Sequence, residues 1–260
     1  MKFQNDVLDV RGIKTRVLSA GNGPVILFLH GAGGVPASAP LLEMLGRDRR
    51  LIVPEHPGFG TSEAPKSIRT VSDVALHYLD LMDLLDLSDV NILGQSLGGW
   101  IAAETAVANP ARVRTFSLIA PTGVRMRGVP VADNFMWSPE EAVRNLYHNQ
   151  TLADEILARP QSEEQVDMNL ANHFMTARLA WEPRWHDPSL ARWLHRINKP
   201  THIIWGAQDR FVPKAYAGYW GELIPNARVT ILDDCGHLPL AEKPVETSRV
   251  VHDFIESVRG

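Results

Sequence analysis

Ser96 stands in the stretch Val90-Asn91-Ile92-Leu93-Gly94-Gln95-Ser96-Leu97-Gly98-Gly99-Trp100. Apolar residues suited to a buried strand precede it, and residues 101–108, a good helix former, follow. A strand, a G-x-S-x-G turn and a helix together hold a serine hydroxyl at the tip of a tight bend. Glycine at 94 and 98 keeps a Cβ out of that crowded turn. The setting reads as a nucleophile. A serine hydroxyl is a weak one at neutral pH and needs an adjacent base. His237 follows the last predicted strand and can take the proton. Asp209 follows the strand before it and can hold the other imidazole nitrogen. The order Ser96, Asp209, His237 is the one expected when G-x-S-x-G sits on a parallel sheet.

The elements that would position these groups are legible in turn. Residues 3–10 and 13–19 alternate loosely around Arg11-Gly12 and predict a hairpin. Val25–Leu29 is wholly apolar, as a strand buried on both faces should be, and it ends in His30-Gly31-Ala32-Gly33-Gly34. A helix is expected near 38–46 and a strand over 50–54, the latter ending in a Pro/Gly turn that carries His56. Between Ser67 and Leu87, Val71, Val74, Ala75, Tyr78, Leu79, Met82 and Leu85 recur at helical spacing. Strands follow at 113–120, 201–205 and 227–232, with helices over 213–223 and 242–257. Strands alternating with helices imply right-handed crossovers and a mostly parallel sheet. Sites on such sheets form beyond the carboxyl ends of the strands, where Ser96, Asp209 and His237 stand.

Composition narrows the function classes. The chain has 260 residues, 45% of them hydrophobic, enough for a sizeable core. Its net charge of −4 comes without a basic block, so neither nucleic acid nor an anionic membrane is an expected partner. One cysteine, Cys235, excludes an internal disulfide and a Cys-rich metal site. Residues 1–7 lack the apolar run of a signal peptide, and no stretch approaches a membrane-spanning length. The expectation is a cytoplasmic protein, monomer or homodimer, acting on a small molecule without metal or cofactor.

Taken together, His30-Gly31-Ala32-Gly33-Gly34, Pro57-Gly58-Phe59-Gly60-Thr61-Ser62, Gly94-Gln95-Ser96-Leu97-Gly98-Gly99, Trp205-Gly206-Ala207-Gln208-Asp209 and Gly236-His237 resemble the α/β-hydrolase superfamily. The resemblance is to its serine branch of small enzymes with a helical cap: esterases, lactonases, haloperoxidase-like proteins and C–C bond hydrolases. It implies an α/β-hydrolase fold, with a mostly parallel central sheet flanked by helices. It also implies an oxyanion hole from the backbone N–H of Leu97 and of Ala32, with Gly33 next. By the same resemblance Ser96 would be the nucleophile, His237 the base and Asp209 the acid. Serine, where some relatives carry aspartate, points to attack on a carbonyl carbon and an acyl-enzyme. Gln95 and Leu238 replace the asparagine and tryptophan that C–C hydrolases of aromatic degradation tend to carry, which favours an ester or lactone over a C–C bond.

Residues 123–193 break the rhythm. They contain no buried-strand run, prolines at 130, 139, 160, 183 and 188, and four of the seven tryptophans. They are expected to form a helical cap inserted in a core of residues 1–122 and 194–260. Trp137, Phe174 and Trp181 would line an apolar pocket with His30, Gly31 and Leu238. Arg178 is a candidate anchor for a substrate carboxylate. His56 reads as structural, Asp233 and Asp234 as surface turn carboxylates, and Cys235 as a small buried side chain.

Overall fold

A computed structural model describes residues 2–258, apart from the side chain of Ala37. The strands are β1 (Gln4–Val10), β2 (Ile13–Ala20), β3 (Val25–Leu29), β4 (Arg50–Pro54), β5 (Val90–Gln95), β6 (Val113–Ile119), β7 (Thr201–Gly206) and β8 (Arg228–Leu232). The helices of the first half are α1 (Ala39–Leu45), α2 (Val71–Leu84) and α3 (Leu97–Ala108). Between β6 and β7 come α4 (Pro139–Leu146), α5 (Gln150–Leu157), α6 (Glu163–Ala180) and α7 (Leu190–Trp193). The chain closes with α8 (Ala215–Leu223), α9 (Pro239–Glu242) and α10 (Pro244–Ser257).

The strands form one sheet in the order β1-β2-β4-β3-β5-β6-β7-β8. The hairpin β1–β2 is antiparallel and joins β4 antiparallel, whereas every pairing from β4 to β8 is parallel. Strand side chains alternate between faces. In β3, Ile26 and Phe28 join Leu41, Leu42, Val251 and Ile255 on one side of the sheet. Leu27 and Leu29 join Val74, Tyr78, Ile101 and Ala102 on the other. Both faces are covered, so the strand has no polar position, and the continuous apolar run of 25–29 follows.

The segment between β6 and β7 contains no strand among the described residues. Its helices start on local signals. Ser138 and Glu141 form a capping box at the start of α4, and Ser162 and Gln165 form another at α6. Despite the prolines around it, α6 runs unbroken for 18 residues. Among the described residues no helix is long and apolar enough to cross a membrane.

Candidate active site

Ser96 links β5 to α3 with φ 53° and ψ −113°, a backbone conformation that non-glycine residues rarely adopt. The neighbouring chain imposes it. The Ser96 N–H donates to Ile119 O at 2.9 Å, and the Ser96 carbonyl accepts from Trp100 and Thr122. A Cβ on Gly98 would lie 2.0 Å from Leu29 O, and one on Gly94 would lie 2.4 Å from Gly98 O. Only glycine lets the turn close this tightly. The serine side chain does not cap α3. Its Oγ lies 2.9 Å from His237 Nε2 instead.

His237 Nδ1 lies 2.7 Å from Asp209 Oδ2. The other carboxylate oxygen, Oδ1, accepts the N–H groups of Phe211 and Val212 at 2.9 and 2.8 Å. Asp209 is buried and held entirely by donors, so it is an acceptor toward the imidazole. That fixes the tautomer: Nδ1 carries the proton, Nε2 presents its lone pair, and Ser96 O–H donates to it. The ring of Phe211 packs edge-on against His237, 4.8 Å between centroids. Such a chain can draw the proton from Ser96 as its oxygen attacks.

The loop holding His237 is tied on all sides. Gln208 bonds Cys235 through both its backbone N–H (2.9 Å) and its side-chain oxygen (3.0 Å). Gly236 N–H donates to Glu242 Oε1 at 2.7 Å. Glu242 Oε2 accepts from the N–H groups of His148 and Asn149, both at 2.8 Å. Burial pushes the Cys235 thiol up, which keeps it an unreactive thiol beside the histidine.

A cavity of about 90 Å³ opens at Ser96. Gly31, Ala32, Gly33, Gly34, Gln95, Phe211, His237 and Leu238 line it, together with Asn134, Leu146 and Trp185 from the segment between β6 and β7. The N–H groups of Ala32 and Leu97 donate to no other described residue, which leaves both available to an oxygen near Ser96. The Gln95 amide nitrogen is buried without a partner among the described residues.

Several residues expected at the pocket lie elsewhere. Phe174 is 63% exposed and Trp181 49% exposed. Arg178 reaches Pro65 O at 3.3 Å with its guanidinium over the Phe174 ring. The cause is the phase of α6, which turns Asn172, Met175, Thr176 and Leu179 inward. Phe174 and Arg178, one turn apart, share the opposite face. Trp181 lies beneath the Arg184 guanidinium, 3.8 Å from its ring centroid. Trp137 packs edge-on against Phe211, 6.0 Å between centroids, and is not among the residues lining the cavity. Nor is His30, whose ring is stacked 3.7 Å on His56. It accepts the His56 N–H through Nε2 and faces the Gly31 carbonyl through Nδ1. Gly31, Ala32, Gly33 and Leu238 do line the cavity. Sequence reasoning did not place Phe211, Leu146, Asn134 or Trp185 there. Phe211 had a signal, two residues beyond Asp209 and fixed by its carboxylate; the other three have none outside the tertiary fold.

The model of the alpha/beta hydrolase fold family matches residues 24–244. A 2-hydroxy-6-oxo-2,4-heptadienoate hydrolase of Pseudomonas putida is 28% identical, over 94% of this chain and 93% of its own. A monoacylglycerol lipase of Mus musculus is 25% identical, over 92% and 78%. Among solved structures, a meta-cleavage product hydrolase from Pseudomonas fluorescens IP01 superposes with a TM-score of 0.85 at 22% identity, covering 97% of both chains. The sheet order, the strained serine between β5 and α3, and a match spanning most of the sequence lead to one conclusion: this chain belongs to the α/β hydrolase fold family and is a hydrolase.

Proposed function

We propose that the protein is a serine hydrolase of small, mostly apolar carboxylic esters or lactones. The observation that carries this reading is the hydrogen-bonded series Ser96–His237–Asp209 at a cavity walled by Leu146, Trp185, Phe211 and Leu238. Ser96 Oγ attacks the carbonyl carbon while His237 Nε2 takes its proton. The carbonyl electron pair moves onto oxygen, which the N–H groups of Leu97 and Ala32 receive. Collapse expels the alcohol, protonated by His237, and leaves an acyl-Ser96 ester. Water, deprotonated by the same nitrogen, then releases the acid. Asp209 stays ionised and holds the imidazolium. Residues 123–193 act as the cap, inserted between core segments 1–122 and 194–260.

C–C bond hydrolysis is the second reading, favoured by the relatives whose names give ketone-bearing dienoates as substrates. The lining favours the ester: among the residues around the cavity none is lysine or arginine, and Arg178 is spent on Pro65. A fluorophosphonate probe tests the common chemistry, with label on wild type and none on Ser96→Ala as the expected result. Absence of label on wild type overturns it. Comparing p-nitrophenyl acetate with a vinylogous diketone acid separates the two readings, because turnover of the diketone alone removes the ester.

A further inference from the structure

We propose that the side-chain amide of Asn134 is a hydrogen-bond donor that selects substrates with an acceptor oxygen near the reacting carbonyl. This rests on the serine-hydrolase reading for its chemistry, though not for its geometry. Asn134 begins the short 3₁₀ turn Asn134–Met136 and lines the cavity above Ser96. Its Oδ1 accepts the indole N–H of Trp185 at 2.8 Å. An indole nitrogen only donates, so the carboxamide oxygen must face it and the NH₂ must form the other end. That NH₂ bonds no other described residue.

Packing keeps the amide in this sense. Trp185 is fully buried, stacked on Phe135 and edge-on to Phe211, each at 5.2 Å between centroids. The indole cannot turn away and release Asn134. Around it, Leu146, Trp185, Phe211 and Leu238 are carbon walls apart from that one committed N–H. The other carboxamide at the cavity, Gln95, stands next to Ser96 in the chain. Among these walls Asn134 therefore offers one free donor in apolar surroundings. Asn134 is half-buried, so a substrate that covers its amide with a methylene, where an oxygen could accept, strips water from the N–H and leaves it unpaired. The preferred substrate class is an ester with an ether, hydroxyl or keto oxygen on its acyl or alcohol arm.

Two pairs of esters, each differing by one oxygen for one methylene, test this. Ethyl methoxyacetate is compared with ethyl butyrate, and 2-methoxyethyl acetate with butyl acetate. Hydrolysis is followed by pH-stat in wild type, Asn134→Leu and Asn134→Asp. The aspartate keeps an acceptor for Trp185 and puts a charged carboxylate oxygen in place of the donor, so it serves if the leucine variant fails to fold. The ratio of kcat/KM within a pair, compared between proteins, cancels the intrinsic reactivity of each ester. The expected result is a loss of about fivefold or more in the preference for the oxygen-bearing ester of one pair, the size of a single neutral hydrogen bond. Ratios unchanged to within about twofold in both pairs overturn the proposal. The same ratios are read as Kd from tryptophan fluorescence in Ser96→Ala with and without Asn134→Asp. If wild type hydrolyses none of these esters yet this discrimination in Kd is present and lost with Asn134→Asp, the ester reading falls and the Asn134 inference stands.

Discussion

The backbone N–H of His237 donates to the carbonyl of Leu146, 2.9 Å away. The residue carrying the proposed base is thereby bonded to the last residue of α4, in the segment that gives Asn134, Leu146 and Trp185 to the cavity. Glu242 doubles the connection, one oxygen on Gly236 and the other on His148 and Asn149. Base and inserted segment are one hydrogen-bonded unit.

Glu242→Gln exposes what that unit contributes. A carboxylate accepts at both oxygens, whereas an amide must point its NH₂ at one of the two groups of N–H donors. Charge-assisted hydrogen bonds contribute about 1.5–3 kcal/mol each, so the variant should lose about 2 kcal/mol of stability. Its kcat on p-nitrophenyl acetate should fall with it. Urea unfolding of the pair of proteins measures this, and a difference below about 0.5 kcal/mol would remove the clasp from the account.

Asp209→Asn should disable the base rather than the fold. Oδ1 faces two backbone N–H groups, so the amide oxygen must stay there and the NH₂ must face His237. Nδ1 then accepts, the ring proton moves to Nε2, and Ser96 loses its acceptor. A fall in kcat of about 10⁴-fold is expected, the scale found for the same change in other triads. A variant within tenfold of wild type, roughly, would mean that Asp209 does not set the tautomer.

Gly98→Ala should fail at the level of folding. Its Cβ would fall 2.0 Å from a backbone oxygen of β3, which cannot move without parting the sheet. Gly218→Ala, inside α8 with nothing within 4 Å, is the matched control. There alanine should be neutral or stabilising by up to about 1 kcal/mol. Thermal melts of both variants decide, and a Gly98→Ala protein melting like wild type would contradict the close approach.

Acid should destabilise the protein through buried histidines. Burial pushes His30, His77 and His202 down to about 4 each. His56 is also held well below its ordinary value, by burial and by the neighbouring His30. These groups are neutral when folded and take protons more readily when unfolded. Their contribution is complete above about pH 6.5 and is lost as pH falls toward about 4. Each histidine can remove up to about 1.4 kcal/mol per pH unit in that window. Urea midpoints at pH 7, 6 and 5 should fall steadily, and a flat series would show that these rings are not buried neutral.

Local pattern made Ser96 legible, since strand, turn and helix are contiguous there. Asp209 and His237 were legible because a parallel sheet gathers its strand ends at one edge. The lining that residues 123–193 supply was not, and α6 shows why. Asn172 finds a partner inside, the Gly60 N–H at 2.8 Å, and Thr176 satisfies its hydroxyl on the Asn172 carbonyl of its own helix at 2.7 Å, so both can be buried. With polar groups satisfied inside, Phe174 is left outside. The inward face mixes these polar residues with Met175, Leu179 and Ala180, and reading aromatic residues as pocket residues selects the wrong face. The hairpin and the helices outside 123–193 needed no such tertiary information, because each is set by periodicity within its own stretch, and the parallel sheet follows from their alternation with strands.

The space above Ser96 carries a consequence for turnover. The cavity of about 90 Å³ is small, and Leu146 and Trp185 are among its walls. An ester that pushes Leu146 aside also disturbs the hydrogen bond that the Leu146 carbonyl accepts from His237. Bulky compounds would then be discriminated by a penalty on the barrier rather than by weak association: they could bind at the rim yet react slowly, because admitting them disturbs the imidazole that must accept the proton.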